Sequence, residues 1–210
     1  MNFKHIPEDT FSLVSDQVGS LFEDREKNLW IGTNAGLNRF DRKSGKFYRY
    51  TVNSSNPNSI GGNAIHMESI VQDEERNLWI GTGDGGLSKF NPQQGQFTRF
   101  RHDPNDPNSI SSNYINGLDM DRFQNLWSGD QYGLDCMDLK TGLITHYSNS
   151  PDDPHSVSKS TDGYILTEDA WGNLWACTYG GGICMFDRST GKFIQFKNNP
   201  LDPHSLNDNE

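Results

Sequence analysis

Asn28-Leu29-Trp30-Ile31-Gly32-Thr33 returns three times along the 210-residue chain. It recurs as Asn77-Leu78-Trp79-Ile80-Gly81-Thr82, as Asn125-Leu126-Trp127-Ser128-Gly129-Asp130 and as Asn173-Leu174-Trp175-Ala176-Cys177-Thr178. The tryptophans advance by 49 residues (30 to 79), then 48 (79 to 127), then 48 (127 to 175). A repeat of about 40–50 residues signals an array of supersecondary units, each too small to bury its own apolar face.

Each unit reads outward from its tryptophan as four short strands. The first runs Val18 to Asp24, echoed by Ser69 to Asp73, Ile115 to Asp121 and Tyr164 to Asp169. The tryptophan strand is second. The third is Gly36 to Asp41, with Gly86 to Asn91, Gly133 to Asp138 and Gly182 to Asp187; the fourth is Lys46 to Tyr50, with Gln96 to Phe100, Leu143 to Tyr147 and Lys192 to Phe196. Apolar residues alternate at period two in most of them, as half-buried strands require. Short turns join the strands: Asp24 to Asn28, where Asn is expected to supply a positive φ, and loops ending in Gly45, Gly95, Gly142 and Gly191. After strand four comes a longer stretch such as Asp103-Pro-Asn-Asp-Pro-Asn-Ser-Ile110, in which proline removes backbone donors and rules out a ladder strand.

Four antiparallel strands and one long link per unit make a propeller blade. The chain is therefore read as all-β, a β-propeller segment of four four-stranded antiparallel blades at about 14–50, 62–100, 112–147 and 162–196, with a trailing connector at 197–210. Phe3 to Leu13 matches Phe196 to Leu206 at six positions (offset 193), so the chain starts and stops at one phase of the repeat. Large inter-blade side chains suit a wide ring, and the expectation is an open arc. Its apolar flanks are expected around Val18, Leu21 and Trp30 on blade one and Ile165, Trp175 and Phe186 on blade four, inviting self-association into an eight-bladed ring. Blade two carries two extra residues, since Asn63 to Asp73 spans ten positions and Asn113 to Asp121 eight. An even insertion preserves the alternation of faces, so an excursion is expected near Ala64 to Glu68 with Ile70 still facing inward.

Composition narrows function. The net charge is −10 and no basic stripe is visible, which argues against nucleic acid as a partner. No stretch has the 18 or so apolar residues of a membrane span, and the N-terminus lacks the pattern of a signal peptide. The three cysteines form no disulfide framework, although Cys177 and Cys184 would face each other if four residues made the loop between their strands. The Asp-rich connectors lack a calcium-loop pattern and the histidines lack ligand spacing, so no metal or cofactor is expected.

The order "Asp, Asn-Leu-Trp-Ile-Gly-Thr, Gly-Gly-Leu, Phe-Asp, Thr-Gly-Lys-Phe, Asp-Pro-x-Asp-Pro-x-Ser" resembles the two-component regulator propeller repeat over about residues 3 to 206. That resemblance implies the extracytoplasmic sensor region of hybrid histidine kinases, with propellers that close at about seven blades so that this chain would be an open arc of such a ring, a periplasmic or extracellular location, signal transduction, and oligosaccharide ligands bound without catalysis. Residues present in every blade, the tryptophans above all, are expected to serve packing. Function should lie where blades differ, at the end where strand 2–3 loops meet the connector exits. Asn34, Asp84, Gln131, Tyr132 and Tyr179, with Asn63, Asn113 and Tyr114, are the candidate ligand-binding residues; tyrosines offer a sugar both a flat face and a hydroxyl. A carbohydrate-active lyase or hydrolase is the alternative, for which only Asp84 and Asp130 offer non-repeated acids, and a protein-interaction scaffold is a third reading.

Overall fold

The structure, a computed structural model, describes residues 2–160 and 163–209. Blade one is β1 (Val18–Glu23), β2 (Leu29–Thr33), β3 (Gly36–Asp41) and β4 (Lys46–Tyr50). Blade two is β5 (Ile70–Gln72), β6 (Leu78–Thr82), β7 (Gly86–Asn91) and β8 (Gln96–Phe100). Blade three is β9 (Gly117–Met120), β10 (Asn125–Gly129), β11 (Gly133–Asp138) and β12 (Ile144–Ser148). Blade four is β13 (Tyr164–Glu168), β14 (Leu174–Thr178), β15 (Ile183–Asp187) and β16 (Lys192–Phe196). Each blade is a separate four-stranded antiparallel sheet paired in chain order. The first strands pack side by side, β1 on β5, β5 on β9 and β9 on β13. β1 and β13 line one central hollow, and the arc is open.

One turn recurs in all four blades and explains the spacing of its motif. Asp24 accepts from the Asn28 backbone N–H (2.8 Å), from the Asn28 side-chain amide (2.9 Å) and from the Trp30 indole N–H (2.8 Å). Asp73, Asp121 and Asp169 do the same for Trp79, Trp127 and Trp175. The carboxylate thus closes the hairpin and satisfies an indole that must be buried. The positive φ expected at Asn lies one residue earlier, at Lys27 (67°), Arg76 (68°) and Gln124 (66°). Asn is needed for its amide.

The tryptophan face of blades one to three packs on strands 3 and 4 of the next blade, which present aromatics at the first and third junctions and Met137 and Ile144 at the second. Trp30, Leu37 and Tyr50 meet Ile70, Leu78, Ile80, Phe90 and Phe97, with Ile60 of the connector filling the wedge. Trp79 and Trp127 repeat this at the two later junctions, with Ile110 and Val157 as wedges. The expected flanks are corrected by this geometry. Trp30 is turned into the first junction and Phe186 into the third, and both are buried. Val18, Leu21 and Ile165 are exposed, the last two lining the central hollow. The true outer faces are Leu29, Ile31, Phe40 and Phe47 on blade one, and Trp175 and Phe196 on blade four.

Close approach of blades depends on glycine in the first strands. A Cβ at Gly117 would stand 2.1 Å from the Tyr164 carbonyl oxygen, and one at Gly19 would stand 2.5 Å from that of Ile65. Cys177 pairs with Ile183 and Cys184 with Ala176, so the two cysteines are one position out of register and do not face each other. Cys177 is exposed and Cys184 buried on the opposite face; all three cysteines are free thiols.

Candidate functional site

The two extra residues of blade two shape a cavity at the loop end of the channel. Ile65 and Ile115 hold the same place, their N–H groups bonding the carbonyls of Thr33 and Thr82. From there blade three reaches its first inward residue, Leu118, in three steps, whereas blade two takes five to reach Ile70. Ile70 is buried against Ile80, so the strand keeps its register. The surplus is absorbed by His66, Met67 and Glu68, the last at φ 51°, a strained value for a residue with a side chain. The excursion drives Met67, 65% exposed, into the open end of the channel.

There it walls a cavity of about 410 Å³, bounded by His66 and Met67 of blade two, Tyr114 and Asn116 leading into blade three, and blade four. Blade four contributes Tyr164 and Ile165 from β13, and Cys177, Thr178 and Tyr179 from β14 and its loop. The rings of His66 and Tyr114 lie 5.5 Å apart and tilted by 43°, forming one aromatic wall. Below it opens the central hollow, about 650 Å³, sharing Met67 and Ile165. Flat rings, an amide and hydroxyls around an apolar floor can stack on a pyranose face and bond its hydroxyls. Burial pushes the Cys177 thiol up, and the Glu68 carboxylate adds to this.

Of the eight residues singled out from sequence, Tyr114 and Tyr179 line this cavity. Asn63 and Asn113 instead clasp their own connectors, accepting from the N–H groups of Val52 (2.8 Å) and His102 (2.9 Å). Asn34 donates to Gln17 (2.5 Å), and Asp84 caps the connector exit by accepting from Ala64 N–H (3.4 Å). Gln131 and Tyr132 are exposed on the blade-three loop, outside the cavity lining. His66 and Met67 were missed, although the insertion that carries them was visible as a spacing difference. Cys177 was noted only for its pairing, and nothing in the sequence pointed to Asn116.

A serine, a histidine and an aspartate also meet under the second connector. Ser111 Oγ donates to Asp135 Oδ1 (2.5 Å), and His146 Nδ1 stands 2.6 Å from that oxygen and 2.9 Å from Ser111 Oγ. His146 Nε2 is tied to the Pro107 carbonyl (2.9 Å). With Nε2 donating to a backbone oxygen and Nδ1 directed at a carboxylate, the imidazole has no free nitrogen to take a proton from serine. His146 instead holds the connector, at the place where Arg49 and Arg99 grip Ser12 and Ser59. Burial alone would lower its pKa, but the bonds to Asp135 and Pro107 outweigh that and raise it.

Asp130 stands in this neighbourhood, where the other blades carry Thr33, Thr82 and Thr178. Those threonines donate to the carbonyls of Gly36, Gly86 and Gly182. A carboxylate cannot donate; Oδ1 accepts from Tyr132 and Gly133 N–H groups, and Oδ2 is buried without a hydrogen-bond partner. Burial pushes its pKa up to about 6, with Asp135 adding to the effect. A raised folded-state pKa means that the folded form holds the proton longer. Its stabilising contribution is full below about pH 4 and lost as pH rises to about 6. Asp130→Thr should restore the blade pattern and erase this loss, so that the variant exceeds the parent by about 2–3 kcal/mol at pH 7 and by much less at pH 4. Urea unfolding at both pH values measures it; equal differences at the two would show that Asp130 does not titrate in this range.

The fold and the repeated turn define a segment of a β-propeller. The two component regulator propeller family matches residues 12–35 and 59–84, the hearts of blades one and two. The chain is similar to the extracellular domain of BT3049 of B. thetaiotaomicron, assigned as a hybrid two component system: 27% identity over 88% of this chain and 25% of that one, TM-score 0.74. The extracellular domain of BT4673 from the same organism aligns with 98% of this chain and 25% of its own length, at 22% identity and TM-score 0.71. The chain thus spans about a quarter of either sensor domain and resembles them as a two-component propeller domain. Virginiamycin B lyase of Staphylococcus aureus shares the fold at 16% identity, TM-score 0.64, over 90% of this chain and 59% of that one. Among curated proteins, none matches the sequence. No helix among the described residues is long and apolar enough to cross a membrane.

Proposed function

We propose that the chain is the ligand-reading part of an extracytoplasmic sensor, holding an oligosaccharide without catalysis at the cavity between Tyr114 and Tyr179. The observation that carries this reading is the cavity itself. It lies at the loop end of the channel, is walled by aromatic rings from three blades, and owes its depth to the blade-specific excursion at His66 and Met67. The likeness to extracellular sensor domains supports a periplasmic or extracellular setting.

Isothermal titration against a panel of neutral and acidic oligosaccharides tests the reading. Tyr179→Ala and Tyr114→Ala should each weaken binding by about tenfold, the loss of one stacking ring, with an unchanged β-sheet circular dichroism spectrum. Cys177 is the exposed thiol of the three, and bound ligand should slow its alkylation. Binding that survives both alanine variants, or turnover of the bound glycan, would sink the proposal.

A further inference from the structure

The outer face of blade one is not bare. Leu13 is buried on Ile31 and Phe47, and the Phe3 ring lies 5.1 Å from Phe40 and 5.2 Å from Phe47. At the first junction Tyr50 of the preceding blade lies 5.3 Å from Phe90 and 5.8 Å from Phe97. At the third, Tyr147 lies 5.3 Å from Phe186 and 5.5 Å from Phe193. Phe3 therefore sits where a preceding blade would place its last aromatic, and Leu13 sits where Ile60 and Val157 fill the wedge. The backbone agrees: Phe47 N–H bonds the Phe11 carbonyl, as Phe97 bonds Asn58 and Phe193 bonds His155.

The connector that recurs after every blade appears for the last time as Phe196 to Leu206, six of whose eleven residues match Phe3 to Leu13, and it follows the other outer face. There Trp175 and Phe196 lie 5.6 Å apart, the pairing of Trp30 with Tyr50 (5.7 Å) and Trp79 with Phe100 (5.2 Å). Trp175 lacks the third ring that Phe90 gives Trp30 at 5.5 Å and Phe186 gives Trp127 at 4.9 Å. Phe40 on blade one has the matching vacancy, with Phe3 and Phe47 beside it and no indole.

The polar rim repeats the match. Across the third junction the exposed Phe123 of the blade-three turn is covered by the Arg188 guanidinium of blade four, 4.9 Å from the ring centroid. One blade further on, the residue at the Phe123 position is Trp171, 84% exposed, and the residue at the Arg188 position is Arg42 of blade one. Arg42 is held by Glu23 at 2.7 Å with half of its side chain in solvent. Each outer face is thus one half of a junction of the kind the chain builds internally, and the pair matches the third junction down to its ring-over-guanidinium contact.

We infer that the occupant of these faces is a second copy of this chain, docked head to tail, with segment exchange. Blade four of one copy sets Trp175 on Phe40 and Trp171 on Arg42 of the other. Its Phe196–Leu206 strap displaces the second copy's own Phe3–Leu13 segment, because the two duplicate each other and fill one place. Two such junctions close a ring of eight blades with a twofold axis. The N-terminal segment is then a built-in competitor that keeps the monomer's face covered and sets the concentration at which copies pair.

Sedimentation of the 210-residue chain over a wide concentration range tests this. The chain should show a monomer–dimer equilibrium. Deleting residues 2–13 should tighten it by at least about tenfold, the release of an occupied site. Since Leu13 also packs on blade one, Phe3→Ser serves as the milder variant and should shift the equilibrium the same way. Trp171→Ala, at a solvent-exposed position, should weaken association by about threefold to tenfold. Glycan titration of the same variants keeps the two questions apart, because the cavity lies away from both outer faces. A monomer at every concentration in both the parent and the Phe3→Ser chain would overturn the inference and leave the faces to a blade of the same polypeptide. A dimer indifferent to Trp171→Ala would overturn the head-to-tail geometry.

Discussion

Trp127→Ala should cost about 3–5 kcal/mol, while Trp175→Ala, the same residue of the same motif one blade later, should cost less than half of that. The difference comes from the neighbours. Trp127 is 1% exposed, stacked at 24° on Tyr147 and met edge-on by Phe186 at 4.9 Å. Removing it leaves an indole-sized void inside a wedge that two sheets hold open, and packed sheets collapse poorly. Trp175 is half-buried, has Phe196 on one side and solvent on the other, so its loss opens no enclosed void. Urea midpoints of the two variants measure the contrast. Equal losses would mean that the motif stabilises each blade from within and that inter-blade packing contributes little.

Asp121→Ala should be nearly as damaging, at about 3–5 kcal/mol, for a different reason. Asp121 Oδ2 accepts from the Trp127 indole (3.0 Å), the Asn125 amide (3.0 Å) and Arg188 (2.9 Å), while Oδ1 accepts from the Asn125 and Phe123 N–H groups. Burial would raise its pKa, but these bonds outweigh it and hold the carboxyl below its usual range. Its contribution is therefore present above the ordinary carboxylate pKa and lost as pH falls through the depressed value. Alanine strands a buried indole N–H and a guanidinium that reaches across from blade four. Asp169→Ala removes the same turn closure with no such cross-blade cation, and about 1–3 kcal/mol is expected. Thermal unfolding of both variants from pH 3 to 7 checks size and sign together. If Asp121→Ala keeps the acid limb of the parent, the ionised form of Asp121 is not what stabilises the fold.

Much of this architecture was legible in the repeat. Tryptophan spacing, period-two alternation and Gly-terminated loops are local signals, and four copies of each reinforce one another. The direction in which each face looks was not legible. Period two says that Trp30 and Leu29 oppose each other, but only the hand of the stacking says which meets the following blade, so Trp30 and Phe186 were misassigned to the outer flanks while Trp175 was placed on one. The lining of the cavity was legible at two positions, Tyr114 and Tyr179. Tyr114 and Tyr179 vary between blades because nothing in the blade requires them. Asn63 and Asn113 do not belong with them: Asn209 recurs at the same phase after blade four and accepts from Asn198 N–H as they accept from Val52 and His102, so this asparagine serves the connector. His66 and Met67 entered the site through an insertion whose destination no periodicity encodes.

The cavity has its walls on three successive blades. In an array held together by adjacent contacts, stability is a sum of unit terms and nearest-neighbour terms, and the sheets of blades two and four are not neighbours. A molecule touching Met67 and Tyr179 at once supplies the absent second-neighbour term. Its binding free energy is then also an adhesive between non-adjacent units, growing with ligand concentration by mass action. Occupancy in such a design is felt as stiffness of the arc from blade two to blade four, a mechanical quantity that a neighbouring domain could register without any atom of the ligand reaching it.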